Sequence, residues 1–500
     1  VDGKTMTSLG APHVVVIDST GLGDRSYVVH DGLVALVVDP QRDIDRVERV
    51  LAEQGLKLTH VAETHIHNDY VSGGLELVRR HRATYVLPRD AEVAYSGDPY
   101  VQSVTNGDHF TVGRLTVDVI HTPGHTPHHI SFAVSRGGGI GVVFTGGSML
   151  FGSVGRPDLV SPELTLQQAH DQWTSVQRLA VDLSGDTGVF PTHGFGSFCA
   201  ATQAAGGSQS TIDKEKLTNP ALIHQENEFV DVTVNALDVF PAYYAHVGPA
   251  NAAGSTAANF DIPKRADPEM LGAAIGRGEW IVDLRSREVF SQGHIPGAVN
   301  FGLDGSFISY LAWMIPWGTP ILLVGATMEH VKEAMRDLMR VGMSPPKAQT
   351  VGEPGSWIAT GETLAVTRRI DFDALKNEWA ANPDAMVIDT RQILEWEAGH
   401  VDGAMFIPFY QVIDRLDEIP LDKDVYVHCG SGYRAAAVVS MLERFGRTNV
   451  TVVDDDFANA HQAGLNIVPS SAPQREPGWT FIASRASVRE YNPAPARVIG

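Results

Sequence analysis

One stretch of this chain occurs twice. WIVDLRSREVFSQGHIPGAVNF at residues 280–301 returns as MVIDTRQILEWEAGHVDGAMFIPF at residues 386–409, an internal repeat of roughly a hundred residues. Each copy reads as an apolar strand ending in Asp, an acidic helix, a Gly-His-x-x-Gly-Ala turn, then helix, strand and loop. Strand and helix alternating at this spacing specify a small α/β domain, so the second half of the chain holds two, over residues 262–366 and 367–475. The repeat breaks where chemistry would sit. VYVHCGSGYRA in the second copy carries Cys429 and Arg434, whereas PILLVGATMEHV in the first has Gly325 and His330 at those positions. Without a thiol or a loop arginine the first copy cannot run the chemistry of the second. It reads as a structural unit that docks domains or binds substrate.

Cys429 is one of two cysteines in 500 residues, and its surroundings favour a thiolate. In Cys429-Gly430-Ser431-Gly432-Tyr433-Arg434 two glycines let the backbone curl so that successive N–H groups face inward as an anion-binding nest. A helix starting near Arg434 adds its positive end. Such a thiol is expected to have a lowered pKa and to hold a transferred sulfur as a persulfide anion. A merely buried cysteine has no use for two glycines and an arginine within five residues.

The first half is organised differently. VVVID, RSYVVHD and LVALVVDP read as strands joined by tight turns, IDRVERVLAEQG as a helix, and the alternation runs to about Phe190. Histidines recur at the ends of these strands: His65 and His67 in THIHND, His121 and His125 in VIHTPGHT, and His193 in PTHGFG. Loops from one sheet edge that each deliver a histidine are expected to converge on a metal. Residues 204–214 read as an exposed loop, 251–260 as a linker, and the Pro-rich tail 476–500 fits neither repeat.

Composition excludes several classes of partner. A net charge of −21 argues against nucleic acid and anionic membrane. Two cysteines cannot build a disulfide framework, which points to a reducing cytoplasm. No run is long and apolar enough to span a bilayer, and VDGKTMTSLG lacks the apolar core of a signal peptide. The absent initial Met points to a processed end or an expression remnant.

The six-residue loop of pattern C-x-x-G-x-R resembles the active loop of rhodanese sulfurtransferases, and Asp389, Arg391, Glu395, Gly399, His400, Gly403 and Ala404 match that family upstream. The resemblance makes Cys429, Gly430, Ser431, Gly432, Tyr433 and Arg434 the catalytic loop and places Asp389 and Arg391 at the substrate. The order THxHxD, HTPGHT, FTG, PxHG over residues 1–255 resembles the metallo-β-lactamase fold, an αββα sandwich. Within it GSVGRPDL, with Gly155, Arg156 and Asp158, resembles the persulfide dioxygenase and glyoxalase II branch. The whole chain resembles a persulfide dioxygenase–sulfurtransferase fusion.

That resemblance implies a first metal held by His65, His67 and His125, with Asp69 and His193 at a second position. Tyr70 stands where the family has a further histidine, and Gly147 where it has the metal-binding aspartate, which disfavours a two-metal hydrolase. Mononuclear Fe(II) is the implied cofactor and Zn²⁺ the alternative. His67 or Asp69 could complete the site, or the loss of the aspartate leaves it empty. Arg156, Asp158 and Cys199 are expected near the substrate, Cys199 either receiving sulfur or filling space. The implied substrates are small persulfides, thiols and sulfite, and the implied assembly is a dimer or tetramer.

Overall fold

A computed structural model describes residues 5–6, 12–202, 207–470 and 475–491. The remaining parts of the N-terminal ten residues, of the polar loop at 204–214 and of the tail lie outside the described residues. The chain forms two compact units. The first takes residues 1–258 with 339–342 and 475–486, and the second takes 259–338, 343–474 and 487–500.

The first unit is built on two sheets. A seven-stranded sheet follows chain order from Thr5–Met6 to Val101–Val104, and a six-stranded sheet is centred on the strands Leu115–His121, Ile130–Ser135, Ile140–Gly146 and Gly188–Pro191. Side chains alternate along each strand, so each strand serves two cores. In the strand Asp24–His30, Tyr27 and Val29 point between the sheets, where they meet Val117, Phe132, Phe144 and Phe190. Val28 points the other way, toward Val47, Val50 and Leu51 of the helix Asp45–Glu53 and toward Leu75 and Val78 of the helix Gly74–His81. On the outer face of the second sheet, Ala133, Val143 and Val189 pack against Ala169, Val176 and Leu179 of the helix Thr165–Asp182. This is the αββα sandwich that the first-half motifs imply.

The histidine loops leave the C-terminal ends of strands of both sheets. Lys57–Ala62 feeds residues 63–70, Leu115–His121 feeds 122–129, and Gly188–Pro191 feeds His193. Part of the segment read as an exposed loop is ordered, since Ser210–Thr211 is a strand and Ile212–Thr218 a helix whose Thr211 side chain accepts from the Lys214 N–H. The tail likewise contains a helix, Trp479–Ala486, and residues 475–486 belong to the first unit.

The second unit realises the repeat as two parallel sheets. The first has the order Val299–Asn300, Trp280–Asp283, Ile321–Gly325, Ala348–Val351. The second has Arg368–Ile370, Val450–Val453, Val425–His428, Met386–Asp389, Met405–Phe406. Cys429 follows the central strand of its sheet, and Gly325 closes the equivalent strand of the other. Among the described residues no helix is long and apolar enough to cross a membrane.

Candidate functional site

Ring nitrogens of His65, His125 and His193 lie within 4.8 Å of one another, and all three side chains are buried. Their hydrogen bonds decide which nitrogen each presents. His125 Nδ1 lies 2.9 Å from the Arg156 carbonyl, which can only accept, so this nitrogen carries the proton. His193 Nδ1 donates to carboxylates of Asp24 at 2.9 Å and Asp69 at 3.1 Å. His65 Nδ1 lies 2.9 Å from Thr64 Oγ1, whose own proton goes to Asp39 Oδ2, so Thr64 accepts. Each ring therefore turns its Nε2 inward, and Nε2 of His65 and His193 are 3.3 Å apart, within hydrogen-bonding distance. Two ring nitrogens at that distance can share a proton or a metal ion. The donor set fits a divalent metal of the imidazole-binding kind.

Electrostatics separates the three. Burial and then the charge on His67 push His65 well down, and burial followed by His193 lowers His125 to about 3. For His193 burial acts downward too, but Asp69 and Asp24 outweigh it and hold the ring up at about 10. His193 thus carries the proton that a metal would displace.

His67 lies outside this trio and belongs to two other groupings, one with Asp69 and His193 and one with Asp39 and Glu63. Its Nε2 is 3.3 Å from Asp39 Oδ1, 3.3 Å from Glu63 Oε2 and 3.0 Å from the Tyr70 hydroxyl. Burial lowers its pKa, yet Asp39 and Glu63 bring it up to about 9, so it is an imidazolium bracing two carboxylates. In these groupings His67 Nε2 faces Asp39 and Glu63, while His67 Nδ1 and Asp69 Oδ1 are buried without a hydrogen-bond partner. Asp69 holds His193 from behind rather than facing the trio's centre. A Cβ placed on Gly147 would lie 2.2 Å from Cδ2 of His125, so the imidazole fills the room a carboxylate there would need.

Arg156 and Asp158, expected to orient the loop or the substrate, are built into the scaffold. Arg156 meets Asp158 through two bonds of 2.7 and 2.8 Å and donates to the carbonyls of Asp238 and Phe198. Asp158 also accepts from Thr480 Oγ1. With its guanidinium engaged in these four bonds, Arg156 contributes its backbone carbonyl, which holds His125. The Cys199 thiol is buried beside the Tyr244 hydroxyl at 3.4 Å, and burial, reinforced by Asp69 and Asp24, raises its pKa well above the usual thiol value. It is a neutral thiol.

A cleft of about 700 Å³ runs alongside the histidine loops, lined by Ile66, Asn68, Thr126 and His128 from those loops and by Asp90, Glu92 and Arg485 from elsewhere in the unit.

In the second unit, Cys429 is buried and its Sγ accepts the Gly432 N–H at 3.2 Å. Gly432 has φ 92°, and a Cβ there would fall 1.8 Å from Asp454 Oδ1, so only glycine fits. Asp454 is itself held by Arg369 and by Arg287 of the first repeat, while the Tyr433 hydroxyl donates to the Gly302 carbonyl. The cysteine-less copy thus walls the loop of the other. Arg434, at the second position of the helix Tyr433–Arg444, is paired with Glu395 at 2.5 and 2.8 Å.

Asp389 and Arg391, expected at the substrate, are bound to each other. They pair with each other at 2.7–3.0 Å, Arg391 donates to the Gly399 carbonyl at 2.6 Å, and both are buried. Asp283, Arg285 and Gly293 repeat the arrangement in the copy without a thiol. The same arrangement in the copy without a thiol fits a brace of the turn.

The family model described as the metallo-beta-lactamase superfamily matches residues 13–223, and that of the rhodanese-like domain matches residues 267–346 and again 372–463. The chain joins a metallo-beta-lactamase domain to two rhodanese-like domains. A metallo-beta-lactamase from Staphylococcus aureus subsp. aureus COL is similar in structure, with TM-score 0.61 and 28% identity, covering 69% of this chain and 100% of that one. That share is larger than residues 1–258 alone. Among curated relatives, the human mitochondrial persulfide dioxygenase ETHE1 is 28% identical over 46% of this chain and 81% of its own length. A hydroxyacylglutathione hydrolase from Tolumonas auensis is 34% identical over 33% of this chain. The alignment spans only 60% of that hydrolase.

The metallo-beta-lactamase domain contains working parts that the sequence reading passed over. His129 accepts the Gly147 N–H at 3.0 Å, and His128 accepts the Ile66 N–H at 3.1 Å. Asp24, Asp39 and Glu63 orient the histidines without belonging to any histidine motif. HTPGHTPHHI displayed His128 and His129 openly, but the aspartates follow or open ordinary strands and gave no local signal.

Proposed function

We propose that this chain oxidises the terminal sulfur of a small persulfide to sulfite at a mononuclear iron in the His65–His125–His193 site and transfers sulfane sulfur through Cys429. The observation that carries the reading is the inward set of three Nε2 atoms, each ring fixed by an acceptor on Nδ1. Iron held there would supply adjacent open positions for O₂ and the persulfide sulfur. The chain's own residues orient the rings through Arg156, Asp24, Asp69 and Thr64, and the three rings are buried. With neutral imidazoles as the ligands, the site keeps positive charge for an anionic persulfide. O₂ is the oxidant, water supplies the remaining oxygen of sulfite, and the carrier leaves as its thiol.

At Cys429 the thiolate attacks the sulfane sulfur of a donor. The donor's S–S bond breaks, and the sulfur stays as a persulfide beside the Gly432 N–H. Attack by sulfite on the outer sulfur releases thiosulfate and returns the thiolate. The similarity to a persulfide dioxygenase and the rhodanese-like matches support pairing these reactions. Cys429→Ser is expected to abolish thiosulfate formation and leave O₂ uptake on glutathione persulfide intact, whereas loss of both would contradict two separate centres.

A zinc-dependent thioester hydrolysis has one observation in its favour, the similarity to hydroxyacylglutathione hydrolase. Its signature would be zinc in the purified protein and cleavage of acyl-glutathione with no O₂ uptake.

A further inference from the structure

Two ion pairs of the second rhodanese-like domain part company when the copies are compared. Asp389 with Arg391 recurs as Asp283 with Arg285. Glu395 with Arg434 does not recur. Six residues after the strand-end aspartate the other copy has Val289, and at the place of Arg434 it has His330. Both halves of the pair are missing where the thiol is missing. A pair that the fold can do without, and that accompanies the nucleophile, belongs to the chemistry of the loop.

The pair lies against that loop. A Cβ on Gly430, the residue after Cys429, would fall 3.0 Å from Nη2 of Arg434 and 3.5 Å from Oε1 of Glu395. The carboxylate takes the guanidinium by both terminal nitrogens, Nη1 to Oε2 at 2.5 Å and Nη2 to Oε1 at 2.8 Å. Burial pushes the Glu395 carboxyl up, but Arg434, the Gln392 N–H and the charge of Arg391 together bring it below its usual value, so it stays ionised. Arg391 is bound to Asp389, and Asp454, the acid beside Gly432, is held by Arg369 and Arg287. The Tyr310 hydroxyl, raised by burial, lies in the field of Arg434, Cys429 and Glu395. Arg434 therefore meets the loop as half of a neutral pair.

We propose that Glu395 is a specificity-determining residue of the sulfur-transfer site: by neutralising Arg434 it lowers the loop's hold on doubly charged oxyanions, so that a singly charged persulfide is kept and thiosulfate is let go. Backbone N–H groups at the start of a helix favour any anion, and an uncancelled guanidinium beside them adds two parallel donors for a tetrahedral dianion. Such a loop would retain its product. The proposal rests on the reading of Cys429 as the carrier of sulfur to sulfite.

The test is alkylation of Cys429 in the whole chain by iodoacetamide, an uncharged reagent, followed across pH by mass spectrometry of the Cys429 peptide. Sulfate is the probe, since it has the charge and shape of thiosulfate and no sulfur to transfer. Glu395→Gln removes the charge and keeps an acceptor for the Gln392 N–H, and Glu395→Val repeats the test with the residue of the other copy. In both variants the pH midpoint of alkylation is expected to fall by about one unit, and sulfate to protect at an about tenfold lower concentration. Failure of either readout to move this way overturns the proposal, and a raised midpoint with weaker protection would show that Glu395 only holds Arg434 in place. Should both readouts move as expected while the wild-type chain forms no thiosulfate from a persulfide and sulfite, the electrostatic role stands and the sulfur-transfer reading falls.

Discussion

At the scale of single residues, the account turns on which side of a ring is tied down. His65, His67, His125 and His193 all sit where strand-end histidines should, and the sequence made that visible. It did not show that His67 would be claimed by Asp39 and Glu63, because that choice depends on carboxylates delivered by other strands. Gly147 gives the sharpest single-residue prediction. Restoring the family's carboxylate with Gly147→Asp drives a Cβ into the His125 ring at 2.2 Å, an overpacking worth about 1–3 kcal/mol. Metal content and melting temperature should both fall. A rise in metal content would show that His125 gives way and that the trio is not fixed.

At the scale of elements, the repeat was legible from the Asp-x-Arg and Gly-His-x-x-Gly-Ala patterns, but their purpose was not. Comparing the two copies shows that Asp389 and Arg391 brace the turn after a strand, as Asp283 and Arg285 do. Asp389→Ala leaves a buried guanidinium without its partner and should cost about 3–5 kcal/mol in chemical denaturation of the second unit. An unchanged unfolding midpoint with a raised KM for the sulfur donor would return the pair to the substrate. The helix behind the cysteine loop, Tyr433–Arg444, carries a pH-sensitive group. Burial raises Glu443 to about 7, only partly offset by the Thr367 hydroxyl that donates to it. Between the usual carboxylate value and 7 the folded chain binds more protons than the unfolded one, so this group makes stability fall as pH rises through that window. Glu443→Gln, which keeps an acceptor for Thr367, should stabilise the protein by about 1–3 kcal/mol at pH 8 and by nothing near pH 4.5. A thermal melt series across pH checks it, and a constant difference at all pH values would contradict it.

At the scale of the whole molecule, domain order could be read from motif order, since each fold announces itself within a continuous stretch. The return of residues 475–486 to the first unit could not, because its anchor joins Thr480 to Asp158 across 322 positions and no local pattern encodes so distant a contact. The residues of the two proposed centres lie in different units, three imidazoles in one and the cysteine loop in the other. Metal analysis of the anaerobically purified chain tests this most directly, with wild type run beside His193→Ala, His67→Gln and Cys429→Ser. The account predicts about one iron per chain in wild type, His67→Gln and Cys429→Ser, and next to none in His193→Ala. Iron kept by His193→Ala and lost from His67→Gln would contradict it.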